Sequence, residues 1–208
     1  MNFLHHWFCR SERWRKTVTQ RIPWALAGRD LGPKVLELGP GPGLSTDFLR
    51  LSVPHLTALE VDAKLAELLR CRLHESNVEV VTGDATAMPF PEEQFSAAVS
   101  FTMLHHIPSR ELQERVLREV WRVLKPGGIF AGCDSVDGWF MRLIHIGDTL
   151  VPLDPVTLGA RLTAIGFEGV MVQRNSDAIR FHARRPLREP VQLGRFSNEA
   201  TSLSTVSR

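Results

Sequence analysis

Apolar residues in this chain fall into two rhythms: short unbroken runs, and stripes that recur every three or four positions. The run Val35-Leu36-Glu37-Leu38 is apolar except for one acid and predicts a buried strand. Gly39-Pro40-Gly41-Pro42-Gly43 then turns it sharply into a helical segment from Leu44 to Arg50. Leu56 to Asp62 reads as a second strand, and Asp62 can cap a helix striped by Leu65, Leu68, Leu69 and Leu73. Val78 to Thr82 predicts a third strand, ended by Gly83-Asp84-Ala85, and Phe95 to Phe101 a fourth whose small residues suit a central position beside a ligand. Ser109 caps a helix with Leu112, Val116, Leu117, Val120 and Leu124 on one face; Lys125-Pro126-Gly127-Gly128 stops it, and Ile129 to Cys133 is the fifth strand. Strands alternating with helices in this way predict a doubly wound α/β sheet.

Two segments stand outside that alternation. Before Arg29-Asp30-Leu31-Gly32-Pro33 breaks the chain, Trp7, Trp14 and Trp24 lie among arginines, and Phe3, Trp7 and Trp14 share one helical face. This predicts an N-terminal helical cap over residues 1–30. Its aromatics either pack on the core, form a lid over a substrate pocket, or touch an acidic or membrane partner. The second segment, Ser135 to Asp148, is too long and apolar for a plain turn. Trp139, Phe140 and His145 can sit on a short helix there, as packing or as a substrate lid. Residues 31–185 form the predicted main domain, and residues 186–208, polar and serine-rich, read as a flexible tail.

The glycines bring in chemistry. A backbone without Cβ can adopt positive φ and approach a ligand, and the following helix presents unpaired N–H groups and a positive dipole end. Glu60 lies 21 positions after Gly39, at the carboxyl end of the second strand, and Asp84 lies 24 after Glu60, at the same edge of the third. A carboxylate at the first position can accept both hydroxyls of a ribose, and one at the second can accept from an exocyclic amine. Either acid alone is equally well a solvated residue beside a turn; the two in register point to a nucleotide-like cofactor.

Composition narrows the classes. The chain has 208 residues, the length of one decorated α/β domain, and 43% of them are hydrophobic, enough for a sizeable core. A net charge of +2 is too small to imply nucleic acid or an anionic membrane by itself. No run reaches the ~18 apolar residues of a membrane span, and Met1 to Phe8 lacks the features of a signal peptide. Cys9, Cys71 and Cys133 show no C-x-x-C or other metal spacing, so reduced thiols, no metal and a cytoplasmic protein are expected.

Five elements in order carry a resemblance: Glu37-Leu38-Gly39-Pro40-Gly41-Pro42-Gly43, Leu59-Glu60-Val61-Asp62, Gly83-Asp84-Ala85, Leu104-His105-His106 and Leu124-Lys125-Pro126-Gly127-Gly128. Over residues 33–184 the chain resembles the class I S-adenosylmethionine-dependent methyltransferases of the small single-domain type. A nicotinamide dehydrogenase fits less well: its loop reads G-x-G-x-x-G, whereas the third glycine here comes one place early, and Asp84 has no role in it. The resemblance implies a Rossmann-like sheet of seven strands, mostly parallel with the last antiparallel. The added hairpin is Gly166 to Arg174 and Ala178 to Arg184, after a helix that Asp154-Pro155 begins. It further implies that Gly39, Pro40, Gly41 and Gly43 approach the methionine part of S-adenosylmethionine, with Glu37 below its amino group. Glu60 and Val61 would serve the ribose, Asp84 and Ala85 the adenine, and the Ser100 backbone the methionine moiety. A small-molecule acceptor is expected, with His105 or His106 as candidate general bases. An RNA methyltransferase and a non-catalytic cofactor-binding module are the alternatives. There is no Asn-Pro-Pro-Tyr segment, and indeed no tyrosine, which argues against exocyclic-amine methylation of adenine or glutamine.

Overall fold

The computed structural model describes residues 11–188, with the side chains of Arg13 and Phe140 excepted. Trp7 and most of the C-terminal tail therefore lie outside the described residues. The elements are α1 (Glu12–Leu26), β1 (Lys34–Leu38), α2 (Leu44–Leu49), β2 (His55–Glu60), α3 (Ala63–Arg72), β3 (Val78–Thr82) and β4 (Phe95–Phe101). A 3₁₀ turn (Leu104–His106), α4 (Arg110–Val123), β5 (Leu124–Ser135), α5 (Trp139–Ile144), α6 (Pro155–Ile165), β6 (Glu168–Arg174) and β7 (Ala178–Arg184) follow. Seven strands form one sheet in the order β3-β2-β1-β4-β5-β7-β6. Pairing is parallel from β3 to β5, and β7 runs antiparallel to both its neighbours. Among the described residues no helix is long and apolar enough to cross a membrane.

Side-chain alternation along the central strands sorts the core into two layers. Val35, Ala97, Val99, Ala131 and Cys133 point to the face covered by α1 and α2, where they meet Val18, Ile22 and Leu49. Leu36, Leu38, Ala98 and Phe130 point to the opposite face, under α4 and α6 with Val116, Val120 and Leu162. The described part of the N-terminal segment thus belongs to the core of the main domain: Val18, Ile22 and Ala25 are all buried against the sheet. Two arginines hold α1 to distant parts of the chain. Arg21 donates to Ser135 Oγ at 3.1 Å and to an Asp177 carboxylate oxygen at 2.7 Å, and Arg180 donates to the carbonyl of Trp24 at 2.7 Å.

Helix ends follow the expected chemistry. Ser11, Asp62, Ser109 and Asp154 each accept a backbone N–H in the first turn of their helix. Gly166 closes α6 at φ 110° rather than opening the strand. The predicted helix stop at Lys125–Gly128 is a correction in detail. The helix ends at Val123, Leu124 already pairs with Phe95, and the next registered pair is Ala97 with Ile129, so Lys125 to Gly128 form an extended bulge within β5. Arg185 holds this bulge: its guanidinium donates to the carbonyls of Trp121, Arg122 and Leu124, pairs with Glu93 at 2.9 Å and lies 3.9 Å from the Trp121 ring centre.

Candidate functional site

The sheet order reverses between β1 and β4, and at that point the carboxyl ends of the strands open onto a cavity of about 610 Å³. A crevice at the switch point of a doubly wound sheet is where such folds bind ligands, and the volume suits a small molecule. Gly39, Pro40 and Gly41 line it. Gly39 sits at φ +58°, and a Cβ there would stand 2.3 Å from Met103 Cγ. Gly41 sits at φ +55° with nothing within 4 Å of an added Cβ, so its backbone is bare to the cavity. Both positions require glycine, the first for space and conformation, the second for conformation and access.

Glu60 is 5% exposed, and its two oxygens accept from the backbone N–H groups of Gly41 at 2.9 Å and Asp62 at 3.0 Å. Each carboxylate oxygen retains a second acceptor direction, so the group is held in place while still able to take hydroxyl donors. Asp84 and Ala85 line the same wall beyond it, with Asp84 exposed and anchored by the Thr86 N–H at 2.8 Å. Val61, 70% exposed, completes the rim between them. Glu60, Val61, Asp84 and Ala85 are thus gathered as the sequence predicts.

Three predicted cofactor residues lie elsewhere. Glu37 does not line the cavity. It points toward α2, where its oxygens accept from Ser45 Oγ at 2.5 Å and Thr46 Oγ1 at 2.7 Å. Burial pushes its carboxyl up to about 7 against the opposing pull of those two hydroxyls. Ser45 itself lines the cavity, so Glu37 stands behind it as a support. Ser45 and Thr46 escaped the sequence reading, although hydroxyls in the first turn of the helix after an acid-bearing strand are a usable signal. Gly43 also faces away, and its missing Cβ makes room for Leu69 Cδ1 and Arg72 Nη2, both 2.5 Å from where it would lie. Ser100 is buried within the sheet, its carbonyl packed against Gly132, and the cavity wall is made instead by Phe101, Thr102 and Met103.

The other end of the cavity is apolar and histidine-edged. Trp14 and Val18 reach it from α1, and Met141, Ile144 and His145 from the α5 region. The predicted lid helix exists, but Trp139 is 77% exposed and outside the lining, because the helix turns Met141 and Ile144 inward. Phe140 lies in α5, its side chain outside the described ones. His105 and His106 both line the cavity. His105 is buried, and its Nδ1 donates to Asp134 Oδ1 at 2.5 Å. Asp134, fully buried at the end of β5, was missed, although it stands at the same sheet edge as Glu60.

The profile of the family described as a methyltransferase domain matches residues 36–132. An uncharacterized methyltransferase of Synechocystis sp. is 37% identical over 146 residues, which cover 65% of this chain and 67% of that one. The chain belongs to the S-adenosylmethionine-dependent methyltransferases of class I. The chain is also 46% identical, over 67 residues, to the probable ribosomal RNA small subunit methyltransferase A of Thermococcus onnurineus, covering 32% of this chain and 24% of that protein. The chain spans less than half the length of several curated relatives it matches. In fold it is similar to Haemonchus contortus phosphoethanolamine N-methyltransferase 2, solved in complex with S-adenosyl-L-methionine, with a TM-score of 0.70, 12% identity and coverage of 88% of this chain and 56% of that one.

Proposed function

We propose that this methyltransferase transfers the methyl group of S-adenosylmethionine to a small-molecule acceptor. The observation that carries the reading is one cavity with two chemically distinct ends. Glu60, Asp84 and the bare Gly41 backbone lie at one, and an apolar wall edged by histidines at the other. The residues fit the cofactor. Glu60 offers a preset pair of acceptors for ribose hydroxyls, Asp84 and Ala85 an acceptor and a backbone donor for adenine, and Gly39 and Gly41 a close approach for the methionine part. When bound, S-adenosylmethionine supplies an electrophilic methyl carbon on a sulfonium centre. Trp14, Phe101, Met141 and Ile144 exclude water and hold the acceptor's apolar part, which fixes its approach. The histidines face the acceptor where its proton must leave.

The acceptor class is argued from charge. Among the described residues lining the cavity there is no lysine or arginine, whereas RNA binding leans on such residues along the phosphate backbone. This favours a small, partly apolar acceptor over RNA. Calorimetric titration with S-adenosylmethionine and S-adenosylhomocysteine, with NAD as control, tests the cofactor reading. Micromolar binding of both sulfur compounds and none of NAD is expected; the reverse pattern overturns it. A following screen with labelled cofactor expects methylation of a small molecule. Methylation of RNA alone, or of nothing across a broad set, overturns the acceptor reading.

A further inference from the structure

Three histidines from two parts of the chain meet at the acceptor end of the cavity. His105 and His106 come from the 3₁₀ turn after β4, and His145 follows α5. The ring centres of His105 and His106 stand 4.1 Å apart, and each lies 5.1 Å from that of His145. One nitrogen of each ring lies within 4.8 Å of the other two. The spacing gave no hint of this, since two of the three are neighbours in sequence and the third lies 39 residues beyond His106.

The neighbours of two rings fix where their protons sit. His105 Nδ1 faces the Asp134 carboxylate at 2.5 Å, and His145 Nδ1 faces the Met141 carbonyl at 2.7 Å. Both partners are acceptors, so each Nδ1 carries a hydrogen, and in the neutral ring each Nε2 is left with the lone pair. Asp134 is itself held by the backbone N–H groups of Ser135 at 2.7 Å and His105 at 3.3 Å. A carboxylate or carbonyl behind Nδ1 is how proteins orient an imidazole whose other nitrogen binds a metal.

The geometry points to a three-histidine site for a divalent transition metal such as zinc, formed by Nε2 of His105, Nε2 of His145 and a ring nitrogen of His106. Tetrahedral zinc–nitrogen bonds of about 2.0–2.1 Å place ligand nitrogens about 3.3 Å apart. One nitrogen per ring already lies within 4.8 Å of the others, so the set must close by at most about 1.5 Å to bind an ion. Three neutral imidazoles with no carboxylate among them select zinc, cobalt, nickel or copper over magnesium and calcium. The fourth position opens into the cavity, as in catalytic rather than structural zinc sites. There the metal would coordinate a hydroxyl or thiol of the acceptor; this last placement, unlike the ion site itself, rests on the methyltransferase reading.

The test uses the full chain, freed of metal by a chelator and dialysed. Zn²⁺ is titrated calorimetrically, and Co²⁺ by its visible absorption, which reports coordination geometry. The wild type is expected to bind one ion per chain with a tetrahedral Co²⁺ spectrum. His145→Gln should weaken binding at least tenfold, and Asp134→Asn, which acts through His105, by roughly ten- to a hundredfold. S-adenosylhomocysteine is titrated into the same samples, and its unchanged affinity in His145→Gln shows that lost ion binding is not lost folding. No saturable ion binding by the wild type, or equal affinity in His145→Gln, overturns the site. Ion binding without S-adenosylhomocysteine binding leaves the metal site standing and removes the methyltransferase reading.

Discussion

Replacing Glu60 separates its two jobs, because the side chain both anchors a loop and offers acceptors to the ligand. Its oxygens already hold Gly41 N–H at 2.9 Å and Asp62 N–H at 3.0 Å, in a site 5% exposed. Hydrogen bonds to a charged acceptor contribute about 1.5–3 kcal/mol each. Two such bonds to a ribose make about 3 kcal/mol, so Glu60→Ala should weaken S-adenosylhomocysteine binding by about a hundredfold. Glu60→Gln keeps the size but has one acceptor oxygen. Its amide must then face one of the two backbone N–H groups donor to donor, and one ribose bond is lost, which gives a loss of about tenfold. The assay is calorimetric titration at fixed pH and salt, with thermal melting of each variant to confirm folding. Folded Glu60→Gln and Glu60→Ala proteins that both bind within twofold of the wild type would refute the assignment of the cofactor to this edge.

Three further outcomes are expected. Glu37 titrates near 7 in the fold against 4.5 for an ordinary glutamate. The folded state therefore holds the extra proton between those values, and stability falls as pH rises through that window, by up to roughly 3 kcal/mol. Urea unfolding from pH 4.5 to 8 should show this decline in the wild type and a flatter profile in Glu37→Gln; parallel profiles would contradict it. Gly39→Ala places a Cβ 2.3 Å from Met103 Cγ at φ +58°, so it should lower stability by at least about 1–2 kcal/mol. Met103→Ala in the same chain should restore part of that loss, as read by melting temperature. Arg185→Met leaves the carbonyls of Trp121, Arg122 and Leu124 without their shared donor and should cost about 3 kcal/mol in urea unfolding, with a change below 1 kcal/mol counting against it.

The strands were legible because each is a short run dominated by β-branched, small or aromatic residues between turn segments, as Val78–Thr82 and Phe95–Phe101 show. Gly41, Glu60 and Asp84 were legible because their positions are set by strand ends, which sequence marks directly. What sequence hides is direction and distance. Glu37 looked like a ligand group until β1 was seen to turn it toward Ser45 and Thr46. Gly43 looked like a ligand-facing glycine, yet it makes room for α3. In a helix of six residues the apolar face is ambiguous, so Trp139 was as good a lid residue as Met141. The Asp134–His105 pair joins residues 29 apart on different strand ends, and only the sheet order brings them together.

The lodging of α1 has a consequence for the order in which the chain can fold. Val18 and Ile22 are covered by residues of β4 and β5, and Arg21 is tied to Asp177 in the final hairpin. On a ribosome adding about 5–20 residues per second, this helix emerges many seconds before the strands that cover it. Until then its apolar side stays uncovered and available to chaperones. The same long-range contacts tie this helix to the sheet, so it should lose its protection from hydrogen exchange together with the sheet and not ahead of it.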